Sequence, residues 1–249
     1  MGGKLGLTKL AVLAGLAAVG GIAPVLAADL GNTPQPAAQA GSDVNWTGLY
    51  IGLDGGVGLG QDLRTYTADG HEVFNGLAGG VGGIEGSILR QSGHFVFGLE
   101  ANADAANLSG SHSCPSQSYN CSSNIYGLES VRVVTGLAAG RWLAYGTAGI
   151  GAGQVSEQAT PVTTGDSFTL SNRTKMGWVL GGGVQTMLTD RITLGAEYLH
   201  YGFGSDNGNE MNQTTGIAGG NLDTRQSADV IEARIGLKLN GTPDHSPMK

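Results

Sequence analysis

Ile231-Glu232-Ala233-Arg234-Ile235-Gly236-Leu237-Lys238-Leu239 is the stretch that decides the fold. Every odd position is apolar and every even one is charged or glycine, the period of two that places alternate side chains on opposite faces of a β-strand. The same period runs through Trp46-Thr47-Gly48-Leu49-Tyr50-Ile51-Gly52-Leu53-Asp54-Gly55-Gly56-Val57, where Leu49, Ile51, Leu53 and Val57 oppose Gly52, Asp54 and Gly56. Working outward from these two, strands are expected near residues 46–57, 73–87, 93–107, 125–139, 141–157, 173–188, 191–204 and 227–240. That makes eight.

Composition supports strands. Of 249 residues 45 are glycine, and these sit inside the alternating segments, in neither a collagen period nor a Gly/Ser tract. A glycine within a helix costs about 1 kcal/mol relative to alanine, whereas a sharply curved sheet uses glycine where strands bend. The net charge of −7 and the absence of any Lys/Arg cluster exclude nucleic acid as a partner. No apolar run after residue 28 is long enough for a transmembrane helix.

The N-terminus reads as a cleaved secretory signal over residues 1–27. Lys4 and Lys9 precede the apolar stretch Leu10 to Ile22, and Pro24-Val25-Leu26-Ala27-Ala28 offers small residues for cleavage. Residues 28–45, with Pro34 and Pro36, read as a periplasmic linker, and 241–249 as a polar C-terminal tail. In an oxidising compartment Cys114 and Cys121 are expected to close a short loop as a disulfide, stabilising it by about 2 to 3 kcal/mol.

Eight alternating segments with short connections near 89–92, 139–141 and 189–190 and long ones near 60–72, 109–124, 158–172 and 205–226 fit an antiparallel transmembrane β-barrel. In lipid every backbone polar group must pair with a neighbouring strand, and such barrels carry short periplasmic turns and long extracellular loops. A soluble sandwich also alternates, so two further signals are needed. Aromatics fall near expected strand ends, as interfacial girdles require: Trp46, Tyr50, Phe95, Phe97, Trp142, Tyr145, Trp178, Tyr198, Tyr201 and Phe203. The faces opposite the apolar ones carry charges of both signs, Asp54, Glu100, Asp104, Glu197 and Glu232 against Arg132, Arg234 and Lys238. Eight strands leave a lumen just wide enough for side chains, so an ionic, plugged interior is expected.

At these residues the chain resembles the alphaproteobacterial porin-like family of small outer-membrane immunogenic proteins. The resemblance rests on Trp46 to Gly52, Phe95-Val96-Phe97-Gly98-Leu99-Glu100, Gly177 to Val184 and Leu188 to Tyr198, and spans 46–240. It implies an OmpA-like eight-stranded barrel in the bacterial outer membrane, with roles in envelope integrity and surface exposure, and haem binding in some relatives. The chain departs from the pattern in closing its last strand with Leu237-Lys238-Leu239-Asn240 where such barrels end on an aromatic residue.

Catalytic chemistry has no support here. Histidines 71, 94, 112, 200 and 245 lack metal-ligand spacing, and no nucleophile motif is present, so no metal, cofactor or enzymatic activity is expected. His200 and Tyr201, with Glu197 and Ser205 nearby, admit a hydrolase-remnant reading, but an interfacial position accounts for the pair. The cluster Gly52, Gly55, Gly56 and Gly58 lacks the Lys-Ser/Thr of a phosphate loop and reads as strand curvature. The functional expectation is a monomeric structural surface barrel whose partners are outer-membrane lipid and, during biogenesis, the barrel assembly machinery. The competing readings are a narrow diffusion channel and a surface receptor for haem or a host ligand using the long loops.

Overall fold

The computed structural model describes residues 44–66, 72–113, 119–163, 168–211 and 218–240. They form eight strands: β1 (Gly48–Tyr66), β2 (Glu72–Ser92), β3 (Phe95–Ser113), β4 (Tyr119–Ala139), β5 (Trp142–Pro161), β6 (Phe168–Met187), β7 (Ile192–Met211) and β8 (Ala218–Lys238). Each pairs antiparallel with its sequence neighbours, and β8 returns to β1, with Asp54 opposite Arg234, to close the barrel. In the lipid-facing part closure leaves no strand edge unpaired, the condition for a sheet surrounded by lipid; above it the β6–β7 ladder stops at Gly177 and Phe203.

The period of two sorts the side chains as the sequence requires. Leu49, Ile51, Leu53, Val57, Ile231, Ile235 and Leu237 all face outward and are exposed, Ile231 to 61%. The outward-facing row turns polar at a consistent height, at Gln61 on β1, Asn107 on β3, Glu129 on β4, Gln154 on β5, His200 on β7 and Asp229 on β8. Below that height each strand presents about five or six outward apolar or small residues, which at a tilt of about 40° spans roughly the 25 Å of an outer-membrane hydrocarbon band.

The strands are longer than the sequence pattern suggested. At 19 to 21 residues each, they reach roughly 50 Å along the barrel axis, about twice the height of the apolar band. The segments 60–72, 109–124, 158–172 and 205–226, read as loops, are therefore largely strand. The barrel wall continues beyond the lipid, and β3 pairs with β4 as far as Ser113 and Asn120. Five shifts in register, at Ala105/Leu108, Ile125/Gly127, Glu157/Gln158, Phe203/Ser205 and Asn209/Met211, lie in or just below this upper part.

At the opposite end the connections are tight, with turns at 93–94, 140–141 and 188–191. Gly93 (φ 59°) and Gly140 (φ 57°) each take the first central position of a two-residue turn. That is the type II′ arrangement, whose twist suits a hairpin and whose positive φ only glycine adopts freely.

The expected aromatic girdles are corrected too. Only Phe95, Phe97, Trp142, Trp178 and Tyr198 of the ten expected girdle aromatics face outward; Trp46, Tyr50, Tyr145, Tyr201 and Phe203 are buried inside the barrel. Strand parity decides the matter: Tyr50 shares its face with Asp54, and Tyr201 with Glu197. Trp46 precedes β1 and folds into the mouth beside the short turns, where the Tyr50 hydroxyl donates to its carbonyl at 2.9 Å.

Candidate functional site: the charged lumen

The interior is layered. Beside the short turns, Trp46, Tyr50, Leu89, Val96, Val134, Leu143 and Met187 form one apolar cluster. A second, comprising Leu77, Leu108, Ile125, Leu128, Val155, Leu199, Tyr201 and Phe203, fills the lumen at and above the upper membrane boundary. Between the two lie the charges.

Arg234 on β8 is the hub. Its Nη2 contacts Glu85 of β2 and reaches Glu100 Oε2 of β3 at 2.5 Å, while its Nη1 reaches Glu197 Oε2 of β7 at 2.7 Å and donates to the Tyr145 hydroxyl of β5 at 2.5 Å. Arg132 on β4 pairs with Glu100, its directly opposed partner on β3, and reaches Glu197 Oε2 at 3.4 Å. Two guanidiniums and three carboxylates thus connect β2, β3, β4, β7 and β8 across the lumen. Buried ions demand such partners, and removing one member of a buried pair costs about 3 to 5 kcal/mol.

The remaining expected charges fall elsewhere. Asp54, Asp104 and Glu232 form a separate group with carboxylate oxygens within 4.8 Å of one another. Lys238, two inward steps from Arg234 along β8, donates from Nζ to the Asn45 carbonyl at 2.6 Å, so it closes the mouth and meets none of these carboxylates. Cys121 is buried on β4, and Cys114 lies outside the described residues.

Sequence reasoning missed several members. Glu85 was legible from the parity of β2, where Ile84 and Ile88 face out and Glu85 and Leu89 face in. A polar layer nearer the outer rim was also missed: Ser123 Oγ donates to Asp62 at 2.8 Å and Gln226 Nε2 to Glu157 at 2.9 Å. The hydrolase-remnant grouping fails geometrically, because Glu197 points into the lumen while His200 stands on the outer wall. There His200 Nδ1 lies 2.7 Å from Asp229, the Tyr198 hydroxyl donates to the same Asp229 oxygen at 2.6 Å, and Trp178 packs 5.0 Å from the imidazole. This is an interfacial cluster, with Tyr201 on the other side of the wall.

Residues 25–225 match the model of the outer membrane protein beta-barrel domain. The chain belongs to that family. Among relatives of this outer membrane β-barrel, the 31 kDa outer-membrane immunogenic protein of Brucella melitensis is 29% identical over 216 residues, 80% of this chain and 89% of the relative. The 22 kDa outer membrane protein of Rhizobium leguminosarum bv. viciae is 30% identical over 167 residues, 66% of this chain and 65% of the relative. The outer membrane protein OprG of Pseudomonas aeruginosa is structurally similar, with a TM-score of 0.48 and 10% identity, covering 78% of this chain and 97% of OprG. The family and the Brucella and Rhizobium relatives place the barrel in the bacterial outer membrane, within the group of small alphaproteobacterial outer-membrane proteins.

Proposed function

We propose that this barrel is a structural component of the outer membrane, with a lumen closed by its own side chains and a surface displayed to the environment. The observation that carries the reading is Arg234, which reaches from β8 to carboxylates on β2, β3 and β7 and to Tyr145 on β5. A lumen tied together at one level by a buried guanidinium, with apolar side chains packed above and below it, has no wet path for a solute. Envelope integrity then follows from a stiff, lipid-matched cylinder, and no catalytic step is assigned to it.

Single-channel recording of the refolded chain in a planar bilayer tests this reading. The wild type is expected to be silent. Discrete conductance whose ion selectivity changes in the Arg132→Ala/Arg234→Ala double variant would replace the structural reading with that of a narrow porin.

Surface display rests on the strand extensions above the apolar band and on the immunogenic character named for the Brucella relative. In the same reading, residues 1–27 are an export signal, Cys114 and Cys121 are joined in a disulfide, the assembly machinery inserts the chain as a monomer, and haem or a host molecule is a candidate ligand of the outer rim. Mass spectrometry of the exported protein before and after reduction checks the signal and the disulfide, and a haem spectral titration checks the ligand.

A further inference from the structure

We propose that Asp54, Asp104 and Glu232 form a cation site inside the lumen, built for a hard divalent ion such as calcium. The three residues come from β1, β3 and β8, and their oxygens lie within 4.8 Å of one another. Calcium takes oxygen ligands at about 2.3 to 2.6 Å in flexible geometry, so three oxygens this close can share one ion, whereas magnesium demands a near-ideal octahedron at about 2.0 to 2.1 Å and keeps several waters, which suits an all-protein carboxylate cage less. Oxygen is the donor type a hard cation takes, and the group contains no nitrogen or sulfur to favour zinc or copper.

Unanswered charge points to the ligand independently of the clustering. Glu232 is 97% buried, as its 3% exposure shows, and its inward-aimed Oε2 has no hydrogen-bond partner. Both carboxylate oxygens of Asp54 and Oδ1 of Asp104 are likewise enclosed and unbonded, the other Asp104 oxygen accepting from Asn102 Nδ2 at 2.5 Å. Neither arginine is ion-paired or hydrogen-bonded to the trio. Arg234 and Arg132 direct their bonded Nη atoms at Glu85, Glu100 and Glu197, and Arg132 Nε and Nη1 reach no acceptor. The adjoining layers therefore set six carboxylates against two guanidiniums, in a space where an unpaired carboxylate is strongly disfavoured.

The wall is shaped to bring the trio together. Asp104 and Asp54 are separated by β2, which presents Gly83 between them, and a Cβ at Gly83 would stand 2.2 Å from Asp104 Oδ1. Glycine at this rung is what lets the Asp104 carboxylate lie across β2 toward Asp54.

The test is equilibrium dialysis of radioactive calcium against the full chain refolded in lipopolysaccharide-free detergent, with calcium present during refolding so that access through the closed lumen is not limiting. The wild type, and Glu129→Gln on the outer wall, are expected to hold one ion per barrel. Asp54→Asn and Glu232→Gln should bind at least tenfold more weakly while keeping the heat-modifiable electrophoretic shift of a folded barrel. Should either fail to fold, Glu232→Asp, which keeps the charge but withdraws the oxygens by one methylene, should weaken calcium in the same direction. Absence of a saturable site in the wild type, or unchanged affinity in the folded variants, overturns the proposal and leaves the trio protonated.

Discussion

The lumen contains two carboxylate groups one layer apart that solve burial in opposite ways. Glu85, Glu100 and Glu197 surround two guanidiniums and the Tyr145 hydroxyl. Asp54, Asp104 and Glu232 have only one another and Asn102. The first group is held by the chain's own cations and acts as a brace between strands. The second is incomplete without something from outside the chain, so its energetics should depend on solution conditions where those of the first do not.

The largest effect should come from breaking the brace. Arg234→Met leaves three carboxylates around a missing cation and should destabilise the barrel by about 3 to 5 kcal/mol, read as a lower midpoint in urea unfolding followed by tryptophan fluorescence. A change under 1 kcal/mol would mean that the lumen is wet enough to screen the charges.

Tyr145→Phe keeps the ring and removes only the hydroxyl that accepts from Arg234; about 1.5 to 3 kcal/mol is expected, the value of a hydrogen bond to a charged group. Gly83→Ala should cost about 1 to 3 kcal/mol through overpacking, since its Cβ would meet the Ala103 carbonyl as well as Asp104. Its loss should be larger with calcium present than with chelator, which separates a disturbed ion site from simple crowding.

The smallest effect sharpens the contrast most. In chelator, Asp54→Asn removes one of three like charges and should stabilise the barrel by on the order of 1 kcal/mol, whereas Glu100→Gln, in the brace, should destabilise it. If both variants moved the unfolding midpoint in the same direction, the two groups would be one network and the comparison would collapse.

Most of this contrast was present in the chain as a list of charges on one strand parity, and Asp54, Glu100, Asp104, Arg132, Glu197, Glu232 and Arg234 all face inward as the alternation implies. Which charges meet was not legible, because partners across a lumen depend on shear and tilt, and a one-strand pattern carries neither. Lys238 shares the face of Arg234 yet sits too near the mouth to reach the carboxylates. The aromatics went astray for a different reason: grouping Tyr50, Tyr145 and Tyr201 by residue type overrode the parity that places them inside.

The upper strands were missed on physical grounds as well. Above the lipid both faces of the wall can be polar, so segments such as Ser109-Gly110-Ser111-His112-Ser113 lose the apolar alternation that marks a strand while keeping its hydrogen bonds. Glycine, serine and asparagine there resemble a loop in composition.

That upward continuation of the wall has an immunological consequence. An antibody approaching from outside meets backbone already bonded into a ladder, with residues from β3 and β4 such as Ser111 and Ser122 side by side although eleven positions apart in sequence. Any epitope on this collar is expected to be conformational. Sera raised against the native surface should lose most of their binding to the collar once the chain is boiled, and short linear peptides copied from it should be poor substitutes for the folded protein.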